Sequence, residues 1–579
     1  MPESSVSMPQ DPRVWRLRLW PGLLLIALIL ILVIVPGRIW PLSLAHFVSL
    51  MAGLMLGPVL VLIWWIVAAR ARGWDRWLFP LFIVVPVILL GATLLRDSIQ
   101  CLLLYPVPLA VMFWVLWLTV TRKLSRPVRR NGGLIILLAF WGLVACVRFE
   151  GTTATGRPNM RWCWQKTDEA KFLEGHVVRA AAADLPPVVI GPGDWSDFRG
   201  PQRDGRLTGI TLNTDWAAHP PKLLWKHRVG PGWGTFAVAG ERLFTQEQRG
   251  VEEAVVCYRQ DTGVELWSWS HPARFSDESS GPGPRATPTI HDGKLYAQGA
   301  TGLLACLDAA SGNLLWSTDI KAATAGVMPT WAYASSPLLI AGNAIVFAGG
   351  KNGRGTAAFD AGTGKLVWVA GNAGHSYSSA HRAMLGGIEQ VLMISEFGIE
   401  SFDPAAGTVL WSHEWRTQVS RVVQPVILSD TDLLVAGGTG TEQGTRRLRV
   451  TRQDAAWKVE TLWTARNVRP YFNDGVVMGQ SYFGFDDARM CCLDLQSGDR
   501  KWTSSAYGHG QLLLLADQAM LLVQAVDGSV ALVRADPGAC EEVARFPALE
   551  GKTWNHPVIA QGRLFVRNGQ EAACYELLK

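Results

Sequence analysis

The sequence lacks the cysteine motifs of common metal and haem sites, and its large C-terminal part lacks a basic excess. The nine cysteines form no C-x-x-C or C-x-x-C-H motif, so a zinc ribbon, a thioredoxin-type site and a c-type haem are unsupported. Residues 1–149 hold 14 Lys and Arg against 4 Asp and Glu, whereas the remainder holds 40 against 44. Because the positive charge belongs to the N-terminal part, we expect no nucleic-acid partner.

Acidic residues are absent from five long apolar runs before residue 150. The runs are Leu17–Pro36, Phe47–Ala69, Trp77–Leu95, Ile99–Val120 and Gly133–Val147. Most approach the roughly 20 residues that cross the hydrocarbon core of a bilayer. Without internal acids, an ion pathway through these runs has little support. We therefore predict a five-helix transmembrane anchor over residues 1–149.

Along this anchor, loops rich in positive charge alternate with loops that carry little. Eleven Lys and Arg lie before the first run, between the second and third, and between the fourth and fifth, while the other loops hold only Arg38 and Arg96. The positive-inside rule then predicts a cytoplasmic N-terminus. Five crossings place the rest of the chain on the far side. We predict a multi-pass protein of the inner membrane with a large periplasmic domain, joined by a linker over residues 150–193.

Self-similarity dominates residues 194–579. The segment LLACLDAASGNLLWS, Leu303–Ser317, recurs four times in related form, and each copy has a turn glycine followed four residues later by tryptophan. The pairs are Gly263/Trp267, Gly312/Trp316, Gly364/Trp368, Gly407/Trp411 and Gly498/Trp502. Glycine supplies the positive φ of a tight hairpin turn. A large ring on the outer strand would wedge between adjacent sheets.

A second count gives the number of units. Eight inner hairpin turns recur at about 45 residues, which is the period of a propeller blade. The last unit stops after its third strand, whereas Lys222–Val229 looks like a fourth strand with no unit before it. We predict an all-β eight-bladed propeller over residues 194–579, closed when Lys222–Val229 completes the last blade and hides the sheet edges. A seven-bladed ring is the alternative.

The D-x-x-x-G-x-x-x-W turn resembles the PQQ (pyrroloquinoline quinone) repeat of quinoprotein dehydrogenases and of BamB-type assembly propellers. Longer segments are similar to a bacterial family of PQQ-binding-like β-propeller repeat proteins, namely DWSDFRGPQRDG from Asp194, GPGWGTFAV from Gly230, GPGPRATPT from Gly281, PYFND from Pro470, YGHGQ from Tyr507 and EGKTWNHP from Glu550. Five helices before a propeller also resemble membrane glucose dehydrogenase, which passes electrons to membrane quinone. This chain is shorter, and the calcium-holding Glu, Asn and Asp of many such enzymes have no recognisable counterpart.

The loops that lead into the inner strands of a propeller converge on one face, where small ligands bind. Nine residues of these loops form the predicted cofactor site: Arg285, Trp331, Tyr333, His375, Tyr377, Arg382, Arg469, Trp554 and His556. Arginines pair with carboxylates and aromatic rings stack on flat ligands. We therefore predict an anionic planar ligand, which PQQ matches, with calcium if the protein is an enzyme. A polar, water-filled funnel is the alternative.

A base for quinone-dependent oxidation has one weak candidate. Asp474, beside Asn473, is the best-placed acid of these loops, with His375, His509 and His556 as alternatives, and no metal ligand is assigned. A structural hydrogen-bonding role is the competing interpretation for each. Asp277 and Glu278 are expected to be solvated. The adjacent Cys491 and Cys492 are expected to be small buried residues of a strand.

Two functions remain open from the sequence. The first is a membrane-anchored scaffold that binds a ligand or a protein partner at the propeller face. The second is a PQQ-dependent membrane oxidoreductase that oxidises a sugar or an alcohol. Fold resemblance alone does not decide between them, because one fold carries many functions.

Overall fold

The computed structural model describes residues 17–39, 44–71, 73–93, 99–152, 158–176, 185–277, 279–350, 352–417, 421–438 and 443–577. These residues form two compact units. The first contains the chain up to Gly151 together with Pro158–Lys166, and the second contains the rest. Part of the predicted linker, residues 177–184, lies outside the described residues.

The first unit is helical. Its helices are Trp20–Ile39, Leu44–Met51, Gly57–Val67, Asp75–Thr93, Ile99–Leu104, Pro106–Val120 and Arg126–Ala145, and the π-helical turn Ala52–Leu56 joins the second to the third. Five stretches are long and apolar enough to cross a membrane: Trp20–Ile39, Val48–Val67, Asp75–Ala92, Leu102–Val120 and Arg126–Ala145. The five predicted apolar helices are thus confirmed.

Aromatic side chains fill the centre of the helical unit. The Phe79 ring stacks on Trp114 with centroids 4.6 Å apart, and Trp65 meets both rings edge-on. Close approach of neighbouring helices requires small residues, and a Cβ on Gly57 would lie 2.4 Å from the Ile29 side chain. After the last helix, strands Val147–Thr152 and Pro158–Trp162 pair with each other.

The second unit is a ring of eight four-stranded antiparallel blades. In order from the innermost strand, blade 1 is Ala237–Ala239, Arg242–Arg249, Glu252–Arg259 and Glu265–Pro272; blade 2 is Thr289–His291, Lys294–Gln298, Leu303–Asp308 and Leu314–Asp319; blade 3 is Leu338–Ile340, Asn343–Phe347, Thr356–Asp360 and Leu366–Ala370; blade 4 is His381–Leu385, Ile388–Ile394, Gly398–Phe402 and Val409–Glu414. Blade 5 is Val426–Ile427, Asp432–Ala436, Thr445–Gln453 and Ala456–Ala465; blade 6 is Val476–Met478, Ser481–Asp486, Arg489–Asp494 and Arg500–Ser504; blade 7 is Gln511–Leu515, Met520–Gln524, Ser529–Arg534 and Glu542–Pro547; blade 8 is Val558–Ala560, Arg563–Arg567, Glu571–Glu576 and Lys222–Arg228.

The ring closes as predicted. Lys222–Arg228 pairs antiparallel with Glu571–Glu576, with Trp225 opposite Cys574. The N-terminal strand therefore supplies the outer strand of blade 8, and the eight-bladed prediction is confirmed over the seven-bladed alternative. A fifth strand, Arg206–Leu207, runs parallel to the inner strand of blade 7.

The turn glycines and the outer-strand tryptophans meet across neighbouring blades. Gly364 has φ +70°, and a Cβ there would lie 2.4 Å from the Trp316 ring of the preceding blade. The same contact joins Gly263 to Trp225, Gly312 to Trp267, Gly407 to Trp368 and Gly498 to Trp463. The repeated motif therefore joins one blade to the next.

Three short elements decorate the propeller. Helix Asp168–Gly175, within the predicted linker, is capped by Thr167, and its Glu169 accepts hydrogen bonds from Arg274 and from the Gly250 backbone N–H. Strands Ser276–Asp277 and Gly281–Pro282 form a small hairpin between blades 1 and 2. Helix Ile320–Thr324 follows the outer strand of blade 2.

Candidate functional site

A cavity of about 190 Å³ lies at the end of the propeller where the inner strands begin. Each blade contributes one polar side chain to the lining of the cavity. In seven blades this residue lies two positions before the innermost strand, and in blade 7 it is the first residue of that strand. These eight residues are Thr235, Thr287, Ser336, Ser379, Gln424, Asp474, Gln511 and His556. We call them the mouth ring.

Hydrogen bonds brace most of the mouth ring from blade to blade. A backbone N–H of one blade donates to the ring side chain of the next: Thr235 to Thr287 at 3.0 Å, Thr287 to Ser336 at 2.9 Å, Ser336 to Ser379 at 2.8 Å and Gln424 to Asp474 at 2.7 Å. Gln424, with its amide turned to satisfy both atoms, accepts from the Ser379 backbone N–H at 3.1 Å. The Thr235 hydroxyl donates to the His556 carbonyl at 2.6 Å and links blade 1 to blade 8. Side chains so engaged are positioned before any ligand arrives.

A segment that precedes the propeller lies beneath the mouth ring. Its Arg199 donates to the Gly475 carbonyl of blade 6 at 2.7 Å, and its Arg203 donates to the Ser336 carbonyl of blade 3 at 2.8 Å. Both arginines are almost fully buried, and Phe198 of the same segment lines the cavity. The motif DWSDFRGPQRDG therefore contributes Phe198 to the floor of the cavity and ties blade 3 to blade 6.

The Asp474 carboxylate is surrounded by compensating groups. Oδ1 lies 3.8 Å from Arg199 Nη1 and accepts from the Gln424 N–H, while Oδ2 lies 3.3 Å from His556 Nε2. Burial raises the pKa of Asp474, but Arg199, followed by His556, outweighs burial, so the net direction is downward. Burial lowers the pKa of His556. Asp474 is therefore ionised and committed to internal partners, which weakens it as a base.

Six aromatic rings form a continuous wall of the cavity, which we call the aromatic arc. In order they are Tyr377, Trp331, Tyr471, Phe472, Trp554 and Trp233, and successive ring centroids are 5.3, 6.4, 5.1, 5.0 and 5.2 Å apart. The planes of successive rings differ by 27° to 75°. The rings therefore tile a wall instead of forming a parallel-sided slot.

The hairpin between blades 1 and 2 adds a charged pair to the lining. Arg285 binds the Asp277 carboxylate and the Ser280 hydroxyl. Burial raises the pKa of Asp277, but Arg285 and then Ser280 outweigh it and lower the pKa overall. Nearby, the Lys552 ammonium lies 4.4 Å from the Trp554 ring centroid and donates to the Ser279 carbonyl at 2.6 Å. Burial lowers the pKa of Lys552 to about 8.

The structure brings together five of the nine residues of the predicted cofactor site. Arg285, Trp331, Tyr377, Trp554 and His556 line the cavity, and so does the candidate base Asp474.

The other four predicted residues lie elsewhere. Tyr333 is fully buried and donates to the Ala348 carbonyl at 3.1 Å. His375 stands behind Tyr377, edge-on to its ring at 4.9 Å. Arg382 is exposed and paired with Glu389, and Arg469 pairs with Asp486. Of the three arginines predicted to gather around an anionic ligand, only Arg285 therefore lies at the cavity.

Several lining residues were not predicted. These are Phe198, Phe472 and the hydroxyl members of the mouth ring, and Asp277 is ion-paired instead of solvated. The mouth ring could have been found from residue position in the sequence, because one polar residue recurs at or shortly before the start of each inner strand. Lys552 lies in the quoted motif EGKTWNHP but was not singled out.

Cys491 and Cys492 have the structural place that the sequence predicts. Both are buried free thiols on the third strand of blade 6, as are Cys257, Cys306 and Cys574 on the third strands of other blades. Neither of the adjacent pair lines the cavity. Within the described residues, no group of three or more His, Cys, Asp or Glu is arranged to hold a metal ion.

A family model described as outer membrane protein assembly factor BamB matches residues 251–504 and 395–577, which together exceed half of the chain. The chain belongs to this family of PQQ-repeat propellers. The two overlapping matches reflect its internal repeats. No curated protein matches the chain by sequence.

Two solved structures are similar to the chain at low identity. BamB from Moraxella catarrhalis is 13% identical, with a TM-score of 0.43 over 62% of this chain and 97% of that one. Quinohemoprotein alcohol dehydrogenase from Comamonas testosteroni is 12% identical, with a TM-score of 0.48 over 66% of this chain and 80% of that one.

Proposed function

We propose that this protein is a membrane-anchored recognition scaffold that binds a small ligand in the mouth cavity and performs no chemistry on it. The surrounding face of the propeller is the surface for a protein partner, in keeping with the family's description as an assembly factor. The anchor holds the propeller on the periplasmic side of the inner membrane.

One observation carries the proposal. Asp474 is the lining acid best placed to take a proton, and it is held by Arg199, His556 and the Gln424 N–H. A general base works best with a pKa near the operating pH, whereas the pKa of Asp474 is lowered. A carboxylate so compensated serves better as a rigid acceptor than as a base.

The alternative is a PQQ-dependent oxidoreductase, favoured by the five spans and the aromatic mouth. The residues present do not fit that cofactor. Of the predicted arginines only Arg285 lines the cavity, and Asp277 already neutralises it. Cavities for drug-sized ligands enclose about 300–1,000 Å³, which exceeds the 190 Å³ available to a flat three-ring tricarboxylate.

Two assays on full-length protein in nanodiscs separate these functions. Dye reduction is measured with PQQ, Ca²⁺ and a panel of sugars and alcohols, and thermal unfolding is measured with the same compounds. We expect no dye reduction, and an unfolding temperature raised by at least one compound, since a ligand at 100 times its Kd adds about 2.7 kcal/mol of stability.

An Asp474→Asn variant is the control for the dye assay. Substrate-dependent dye reduction by the wild type that disappears in a folded Asp474→Asn protein would overturn the scaffold in favour of the oxidoreductase. The orientation is tested with alkaline phosphatase fused to the C-terminus, which is active only outside the cytoplasm. An inactive, intact fusion would contradict the proposed topology.

A further inference from the structure

Each charged side chain that lines the mouth cavity has an internal partner of opposite charge. Asp277 is paired with Arg285, and Asp474 is compensated by Arg199 beneath it. Lys552 is not among the lining residues; it lies over the rings of Trp233 and Trp554 and donates to the Ser279 carbonyl. A charged ligand would have to displace an internal partner, and a buried charge left without its partner is costly. The cavity is therefore suited to an uncharged ligand.

The two sides of the cavity differ in chemistry. The aromatic arc offers ring faces, which carry negative potential and attract polarised C–H groups. Because the arc tiles a wall, it supports one face of a ligand and cannot sandwich a flat ring system. The remaining lining is mostly polar: it consists of the mouth ring, with its hydroxyls, amides, carboxylate and imidazole, and of Asp277, Ser279, Ser280 and Arg285, together with the apolar Phe198, Ala334 and Val422. An occupant with one C–H face and many hydroxyl groups satisfies both sides.

Four buried polar atoms on lining residues have no hydrogen-bond partner among the described residues. They are the indole Nε1 atoms of Trp233 and Trp554, the amide Oε1 of Gln511 and the imidazole Nε2 of His556, which lies 3.3 Å from Asp474 Oδ2. Buried polar groups are normally satisfied, by protein, water or a ligand. Two indole donors, one amide acceptor and one imidazole nitrogen on side chains already held in place are the complement of hydroxyl groups, which both donate and accept.

The volume limits the size of the occupant. The cavity of about 190 Å³ is smaller than the roughly 300–1,000 Å³ of sites for drug-sized ligands. We infer that the mouth cavity binds one uncharged saccharide ring, with its C–H face on the aromatic arc and its hydroxyls on the mouth ring. This inference rests on the proposed ligand-binding function and names the class of ligand.

The test measures saccharide binding to full-length protein in nanodiscs that contain no glycolipid. Glycosidic detergents must be removed, because their head groups are themselves saccharides. Isothermal titration calorimetry gives the Kd for glucose, N-acetylglucosamine and maltose, and saturation-transfer NMR shows which ligand protons touch the protein. We expect at least one saccharide to bind, with transfer strongest to its ring C–H protons.

Variants place the ligand on the aromatic arc. Trp331→Ala removes a ring of the wall, and Phe472→Leu keeps apolar volume without a ring. Each is expected to weaken binding about 3- to 10-fold, the equivalent of one aromatic contact. The matched control is Trp457→Ala on the outer strand of blade 5, which does not line the cavity. Its Kd should equal that of the wild type, and unfolding temperatures verify that each variant is folded.

Parallel titrations with PQQ, benzoate and tetramethylammonium distinguish a failure of the saccharide inference from a failure of the proposed ligand-binding function. Binding of a charged probe alone would overturn the saccharide inference while leaving a ligand-binding mouth intact. No binding by any compound would overturn the inference and the proposed function together. Saccharide binding that Trp457→Ala weakens as much as Trp331→Ala would place the ligand outside the cavity and overturn the inference.

Discussion

Tryptophans occupy two regions of this propeller, the outer rim and the mouth, and they do different things there. On the rim, Trp316 packs on Gly364 of the next blade and its Nε1–H donates to the Ala361 carbonyl at 3.1 Å. At the mouth, Trp233 and Trp554 line a cavity and their Nε1–H groups have no partner among the described residues. The rim tryptophans donate to their own protein, with the exception of Trp267, whose Nε1 also lacks a partner among the described residues, whereas Trp233 and Trp554 at the mouth both lack one.

The difference shows that the repeat motif and the candidate site are separate features. The rim contacts recur from blade to blade with the same geometry, which is expected when they build the ring. The mouth departs from the repeat, because its eight ring positions carry five kinds of side chain, namely Thr, Ser, Gln, Asp and His. The PQQ-type repeat therefore indicates a propeller, and the ligand must be deduced from the mouth.

The largest effect is expected at the floor of the mouth. Arg199→Met leaves the buried Asp474 without its nearest guanidinium, and breaking a buried pair in this way destabilises a protein by about 3–5 kcal/mol. Adding Asp474→Asn should recover much of the loss. Thermal and urea unfolding of the full chain measure both, with the exposed Arg206→Met as control. Equal effects of Arg199→Met and Arg206→Met would contradict the ion-pair account.

A pH effect is expected at Glu253, a nearly fully buried residue of blade 1 that accepts from the Ala300 N–H at 2.7 Å. Burial raises its pKa to about 7, against the opposing effects of the Ala300 N–H and Arg285. The protonated form is favoured on folding, so its stabilisation is complete below pH of about 4.5 and lost as the pH rises through about 7.

Relative to the wild type, Glu253→Gln should gain about 3 kcal/mol between pH 4.5 and pH 8, at 1.36 kcal/mol per pKa unit. Unfolding at both pH values measures the gain. The exposed neighbour Glu252→Gln is the control. A gain that Glu252→Gln reproduces would show that burial of Glu253 is not its cause.

Two turn glycines of blade 3, Gly364 on the rim and Gly342 between the two inner strands, allow the cost of backbone strain to be separated from the cost of packing. Gly364 and Gly342 have φ of +70° and +75°, but only a Cβ at Gly364 would meet a ring, since nothing lies within 4 Å of one at Gly342. Alanine at either position introduces the strain of a positive φ. Gly364→Ala adds overpacking against Trp316, so it should be less stable than Gly342→Ala by about 1–3 kcal/mol. Equal unfolding temperatures would contradict the rim contact.

The smallest effect is expected from a direct comparison of a rim tryptophan with a mouth tryptophan. Trp316→Phe removes a hydrogen bond to Ala361 and should cost about 1 kcal/mol of stability. Trp554→Phe removes an N–H without a protein partner, so it should change stability by less than about 0.5 kcal/mol. Chemical denaturation resolves the pair. A larger loss in Trp554→Phe would mean that the mouth tryptophan is as structural as the rim tryptophan.

The fold was largely predictable because its determinants are local and repeated. The spacing of Gly364 and Trp368 along one blade marks the turn, and Lys222–Val229 reveals the closure by standing alone before the first unit. Apolar runs likewise mark the five long helices. The partner of each rim glycine was not visible, since Trp316 contacts Gly364 of the next blade and not the glycine of its own.

The candidate site was predictable only as a set of loops. Loop position identifies Trp331 and Trp554, but side-chain direction decides the rest, so Tyr333 is in the core and Arg382 faces solvent. The floor depends on contacts between residues far apart in sequence, such as Arg199 with Gly475. No local pattern encodes such a contact, although the motif that contains Arg199 was recognised as family-specific.

An experimental density map of the full-length chain with a bound saccharide tests the central claim most directly. The account predicts density for a single ring against Trp331 and Phe472, with Arg285 still paired to Asp277 and Arg199 beneath Asp474. A flat three-ring density with a cation beside Asp474, or a saccharide found only outside the cavity, would contradict it.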